Sequence, residues 1–232
     1  MGEYEGELEQ SQEFCYISDM KSFGPHELLG CYARGIFPMS DGRDDPRIFL
    51  LDPSERGIIP LKNDRLRQDS EGLHISRSMK KLMRRGEFHV TYNKAFARVI
   101  DLCAESADDR ETTWINHDIE YLYTKLHHMG HAHSVEVWDK TGETLIGGLY
   151  GVSLGGAFFG ESMFSRASNG SKIALIKLVE HLDARQYGLL DTQFLTDHLA
   201  TMGAIEISRD DYQRRLNHAL DIDTSFNVAI NP

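Results

Sequence analysis

The chain has 232 residues, 41% of them hydrophobic, and a formal net charge of −11 at pH 7. That length and apolar content can bury a sizeable core, while repulsion from the net charge argues against a protein that coats nucleic acid indiscriminately. No run of about 18 apolar residues suggests a membrane span, and the acidic first 13 residues lack the basic and apolar make-up of a signal peptide. A soluble, cytoplasmic protein with no membrane partner is expected, and the three scattered cysteines Cys15, Cys31 and Cys103 suggest neither a disulfide framework nor a cysteine metal site.

Residues 1–20 are polar and acidic and are expected to form a flexible arm. Residues 26–33 read as a short helix that Gly35 ends, ahead of an extended stretch at 36–39. Turn formers crowd residues 40–46, and strand-like runs follow at 48–51 and 57–61. A polar stretch at 63–71 closes a small N-terminal domain, residues 1–70, before a larger one, residues 71–232.

The larger part opens on a basic helix, with Ser76 or Ser78 as N-cap and Gly86 as stop. Its cations Arg77, Lys80, Lys81, Arg84 and Arg85, with Lys94 and Arg98 beyond them, face only Glu87. Such a face is either solvated or a local anion-binding surface. A strand at 88–91, an amphipathic helix at 94–104 and a polar loop at 105–111 follow. Asn116 or Asp118 caps the next helix, which Gly130 stops. Strands at 132–138, 144–154 and 157–164 are joined by hairpin-type turns and form an antiparallel meander. A helix at 171–185, an apolar strand at 188–194 and a short helix at 196–202 complete an α+β sandwich with a late βαβ crossover, hence a mixed sheet.

Two strands carry polar residues in apolar company. Strand alternation puts Asp191 and Gln193 on one face, with Leu190, Thr192 and Phe194 on the other. A buried carboxylate and carboxamide must bond each other, the backbone or a ligand. Glu161 lies beside Gly160, where a ligand or another backbone can approach, and an ion pair with Arg166 is its plain structural explanation. Residues 165–172 lead from a strand into a helix, so they form either an N-capping turn or an anion cradle. The loop departs from the glycine pattern of acyl-CoA N-acetyltransferases, because Gly170 stands four residues after Arg166 and no Gly or Ala follows two beyond it. The histidines His127, His128, His131 and His133 lack a carboxylate or cysteine to complete a tight set, so no metal is expected.

Several ordered motifs together closely resemble the bacterial leucyl/phenylalanyl-tRNA-protein transferase family. They include Arg34-Gly35-Ile36-Phe37-Pro38, His74-Ile75-Ser76-Arg77-Ser78, Thr113-Trp114-Ile115, Gly130-His131-Ala132-His133-Ser134, Gly147-Gly148-Leu149-Tyr150-Gly151, Gly160-Glu161-Ser162-Met163-Phe164-Ser165 and Asp191-Thr192-Gln193 leading to Asp197-His198. The resemblance runs from Gly30 to Leu216. It implies a small N-terminal α+β domain on an acetyltransferase-like mixed-sheet domain, aminoacyl-tRNA as donor, and transfer of Leu or Phe, and also Met, to proteins beginning with Arg or Lys, which marks them for N-end-rule degradation. It implies no cofactor, because the aminoacyl ester is already activated.

By the same resemblance, Asp191, Gln193 and Glu161 form the catalytic centre. Trp114, Tyr123, Leu149, Phe158, Met163, Leu190 and Thr196 bind the donor, while Arg77, Lys80, Lys81, Arg84 and Arg85 bind tRNA. One departure stands out. Many members carry tryptophan before the Asp/Ser-Pro turn, whereas this chain has Leu50-Leu51-Asp52-Pro53, so Phe49 substitutes or adenine binding is looser. Rival readings are an acyl-CoA N-acyltransferase and a non-catalytic tRNA-binding module. A monomer is expected.

Overall fold

The computed structural model describes residues 15–17, 23–68, 71–105 and 113–227. Most of the expected acidic arm lies outside the described residues. Its described part, β1 (Cys15–Ile17), is a strand that pairs antiparallel with β3 (Ile48–Leu51), and β3 also pairs with β2 (Phe37–Met39). Apart from Glu105, the loop expected at 105–111 also lies outside the described residues.

The main sheet has seven strands in the order β10-β4-β9-β8-β7-β6-β5. The expected meander is its centre, as β6 (Ala132–Trp138), β7 (Leu145–Leu154) and β8 (Ala157–Ser165) pair antiparallel in sequence order. β5 (His89–Tyr92) extends the sheet from β6. Helix α5 (Gly170–Ala184) then carries the chain across to β9 (Leu189–Gln193), which runs parallel to β8. This is the expected crossover, and it makes the sheet mixed. β4 (Glu55–Ile58) pairs antiparallel with β9 and with β10 (Ile205–Ser208), so sheet hydrogen bonds cross the boundary expected near residue 70.

Apolar side chains leave the sheet on both sides. One cluster joins Phe159 and Leu189 to α1 (Pro25–Tyr32), α3 (Phe96–Ala104), α4 (His117–His128) and α7 (Arg209–Leu220). The other joins Phe158 and Leu190 to α2 (Arg77–Arg85), α5 and α6 (Asp197–Thr201). Neighbouring residues of one strand thus feed opposite cores, as the pleat requires.

Local signals account for the helix ends. Ser76 accepts the Met79 N–H at the start of α2, and Gly86 closes it in the left-handed region at φ 63°. Asn116 caps α4 through the Ile119 N–H. No helix among the described residues is long and apolar enough to cross a membrane.

Candidate active site

The parallel pair β8 and β9 stays in register only from Ala157↔Leu189 to Phe159↔Asp191, after which β8 continues against β7 alone. The strands part at the positions that carry the polar residues. Two bulges sit at this opening. On β8, Tyr150↔Ser162 is followed by Gly151↔Gly160, which leaves Glu161 as the extra residue. On β9, Gly57↔Gln193 is followed by Ile58↔Asp191, which leaves Thr192 extra. A bulge re-aims a side chain that regular alternation would send elsewhere.

The second bulge requires an unusual backbone. Gln193 has φ 65°, a conformation costly for a residue with a Cβ. The chain then passes so close to β4 that a Cβ on Gly57 would lie 2.7 Å from the Phe194 carbonyl carbon. Strand alternation therefore does not govern Gln193. Asp191 Oδ1 accepts the Gln193 backbone N–H at 2.7 Å, so the bond between these residues runs through the main chain, not the carboxamide.

Asp191 is fully buried, and its charge is met by Arg56, which is only 1% exposed. Arg56 Nε lies 3.0 Å from Oδ1 and Nη2 lies 2.7 Å from Oδ2, a two-pronged ion pair. The Tyr212 hydroxyl donates to Oδ2 at 2.7 Å, and Arg56 Nη1 donates to the Gly35 carbonyl at 2.8 Å. The guanidinium also lies 4.6 Å from the Phe37 ring centroid and 4.4 Å from that of Tyr212. Burial opposes the charged form of Arg56, but the Asp191 and Tyr212 fields outweigh it and raise its pKa.

Glu161 is held differently. The Tyr32 hydroxyl lies 2.7 Å from Oε1 and the Tyr123 hydroxyl 2.6 Å from Oε2, while the two hydroxyl oxygens lie 2.6 Å apart. These contacts close a ring, and three hydrogen bonds need three protons. The two hydroxyls supply two. With all three bonds made, the third proton is the carboxyl's own, so the ring matches a neutral Glu161. Burial pushes the Glu161 carboxyl up to about 7; the hydroxyls of Tyr123 and Tyr32 and the nearness of the Gln193 carboxamide oppose the rise, and the nearby Asp191 charge adds to it. The Gln193 carboxamide is thus near Glu161, yet its buried Nε2 completes no hydrogen bond of normal geometry. An orphaned buried donor beside an opening in a sheet is a place for a ligand acceptor.

The structure therefore brings Asp191, Gln193 and Glu161 together, but it spreads the expected donor residues. Tyr123 belongs to the Glu161 ring. Leu149, Phe158 and Leu190 are buried, with Met163 packed beside them, in the core beneath α5 on the other side of the sheet. Trp114 is half-buried against the α3 and α4 core, and Thr196 caps α6 by accepting the Leu199 N–H. Arg166 pairs with Glu105, not Glu161. His127 stacks on Phe96 and His133 on Phe226, each ring pair 4.2 Å apart, so these histidines have packing roles. Sequence reasoning missed Tyr32, Arg56 and Tyr212, none of which has a local signal beyond its own side chain.

Helix α2 provides the contrast. Arg77, Lys80, Lys81, Arg84 and Arg85 are all exposed, and none enters an ion pair among the described residues. A groove of about 250 Å³ lies between this helix and the turn ahead of α5, lined by Ser78, Met79, Lys81, Leu82, Arg85 and Asn169.

Fold and site together define an α+β protein with a mixed sheet, a buried acid and amide centre where two parallel strands part, and an unneutralised cationic helix. Comparison with known proteins narrows that class. The family model described as leucyl/phenylalanyl-tRNA protein transferase matches residues 68–217. The chain is 55% identical over 209 residues to the protein of that name from Maricaulis maris, covering 90% of this chain and 92% of the relative. It is 52% identical over 204 residues to that of Hyphomonas neptunium, covering 88% and 75%, and 51% identical over 207 residues to that of Phenylobacterium zucineum, covering 89% of each. The chain belongs to the leucyl/phenylalanyl-tRNA protein transferase family.

Proposed function

We propose that this protein transfers a leucyl or phenylalanyl group, and also a methionyl group, from aminoacyl-tRNA to the α-amino group of proteins that begin with Arg or Lys, marking them for N-end-rule degradation. In this reading it acts as a cytoplasmic monomer. Its catalytic part is acetyltransferase-like, with the parting of β8 and β9 as the reaction cleft, and the segment before residue 71 is a small domain that lends β4 to the catalytic sheet. The relatives' shared name supports the donor and the acceptor class.

The observation that carries the reading is the uncompensated charge of α2 on a protein of net charge −11. Elsewhere many arginines and lysines are paired, as at Arg43–Glu120 and Lys177–Glu180. Five exposed, unpaired cations on one short helix suit a phosphate backbone, which supplies the missing anions and releases counterions. The groove beside Asn169 would lead the 3′ end of the tRNA toward the cleft.

The chemistry asks little of the protein because the ester is already activated. The amine nitrogen attacks the ester carbonyl carbon, a C–N bond forms, the C–O bond to the ribose breaks, and the amine proton finally reaches the ribose oxygen. The chain must align amine and ester, stabilise charge at the carbonyl oxygen and shuttle the proton. Gln193 supplies a free carboxamide for the amine or the carbonyl, and Glu161, poised near neutrality, can hold or pass the proton. Leu149, Phe158, Met163 and Leu190 form the apolar wall for the donor side chain, with Tyr123 and Thr196 at its margins and Trp114 as a stacking plate for the terminal adenosine.

The test is incubation of the purified protein with radiolabelled Leu-tRNA and a peptide beginning with Arg, beside Asp191→Ala and Gln193→Ala. Wild type is expected to label the peptide and both variants to fail. An unlabelled peptide with folded wild-type protein contradicts the reaction, and full labelling by both variants contradicts the site.

A further inference from the structure

Asp191 is fully enclosed within the candidate site. Its two oxygens receive Arg56 Nε, Arg56 Nη2, the Tyr212 hydroxyl and the Gln193 backbone N–H, at 2.7 to 3.0 Å. The side chain is 0% exposed. A carboxylate offers about four acceptor positions, so no lone pair is left for an incoming amine. Its influence on a bound substrate must pass through a neighbour, and Gln193 is the neighbour that it grips.

We propose that Arg56 and Tyr212 are positioning residues for the transfer reaction, clamping Asp191 so that its Oδ1 pins the Gln193 backbone N–H and holds Gln193 in its left-handed conformation, with the carboxamide presented at the opening between β8 and β9. The proposal rests on the transfer activity put forward above.

The geometry explains otherwise unrelated features. Gln193 would relax from φ 65° to extended backbone if nothing held it, and its amide would then leave the carboxylate. The Asp191 bond to that amide is the restraint. The carboxylate can in turn be kept in place only by groups that cannot swing away. Arg56 is wedged between the Phe37 and Tyr212 rings and tied to the Gly35 carbonyl, which fixes the guanidinium plane. Tyr212 arrives from α7, so the clamp draws on β4, on α7 and on the turn ahead of β2. A lysine at position 56 would keep the charge but lose the planar two-pronged fit, and phenylalanine at 212 would keep the ring but lose one bond.

The test measures steady-state transfer from Leu-tRNA to an Arg-initiated peptide for wild type, Arg56→Lys and Tyr212→Phe. Each protein is checked for folding by melting temperature, and the hydrogen exchange of the Gln193 amide is followed in parallel. Misplacement on the scale of an ångström costs about a hundredfold in rate. Arg56→Lys is therefore expected to lose about a hundredfold and Tyr212→Phe about tenfold in kcat, with KM for Leu-tRNA within about twofold of wild type. The Gln193 amide is expected to exchange about tenfold faster in both.

If Arg56→Lys does not fold, Tyr212→Phe carries the measurement alone. Folded variants with wild-type kcat, or with a loss that lies wholly in KM, overturn the proposal. So does unchanged exchange at Gln193. Wild-type protein that labels no peptide contradicts the transfer reaction instead, and the exchange data still decide whether the clamp holds Gln193.

Discussion

Asp191 and Glu161 are two buried carboxyl groups close enough to feel each other's charge, yet they are stabilised by opposite means. Asp191 meets a formal cation in Arg56, 2.7 Å away. Glu161 meets no formal cation, only the hydroxyls of Tyr32 and Tyr123, and burial pushes its carboxyl up to about 7. Burial alone does not decide what a carboxyl group does. The paired acid acts as a fixed strut, and the unpaired one becomes a group that can exchange its proton near neutral pH.

Removing the cation should have the largest effect. Arg56→Ala leaves Asp191 buried without its counter-charge, and the loss in urea unfolding free energy should reach about 3–5 kcal/mol. A loss below about 1 kcal/mol would mean that water replaces the guanidinium and that the strut is not rigid.

The next effect separates the two acids by pH. With a folded pKa of about 7 against a reference of 4.5, Glu161 binds its proton more tightly in the folded state. Below 4.5 both states are protonated and the group adds no pH dependence. Between 4.5 and 7 the unfolded chain ionises first, so stability falls as pH rises, by roughly 3 kcal/mol in all, and stays lower above 7. Glu161→Gln should remove that slope, which denaturant curves at pH 5, 6 and 7.5 would read as a difference from wild type that changes with pH.

Opening the hydroxyl ring is milder. Tyr123→Phe removes the bonds to Tyr32 and Glu161 while leaving each with the other as partner, so about 1–2 kcal/mol of stability should be lost at pH 6. The smallest stability effect belongs to the exposed charges of α2. Lys81→Glu and Arg85→Glu should change unfolding by no more than about 0.5 kcal/mol, yet each should weaken Leu-tRNA binding and reduce its salt slope by about 1. Unchanged slopes would place the RNA elsewhere.

What was legible in the sequence follows the range of the forces involved. Ser76, Gly86 and Asn116 announce helix ends because capping acts within one turn. The meander and the parallel return from β8 to β9 follow from alternation and turn residues. The opening between those strands does not, because it depends on two bulges that alternation assumes away. Asp191, Gln193 and Glu161 stand out as polar residues in apolar runs, but Arg56 reaches Asp191 across 135 positions and Tyr212 comes from a helix that the chain reading did not anticipate. Tyr32 looks like an ordinary apolar position of α1 until its hydroxyl is seen on Glu161. The expected donor residues rest on resemblance alone, and they lie on both sides of the sheet, Leu149, Phe158 and Leu190 in one core and Tyr123 in the other.

The most direct test of the contrast between the two acids is a ¹³C NMR titration of protein labelled at the glutamate side-chain carboxyl, with the Glu161 signal assigned by its loss in Glu161→Gln. A midpoint near 7 is expected for that signal, far above the exposed glutamates. A midpoint near 4.5, in step with the rest, would contradict it.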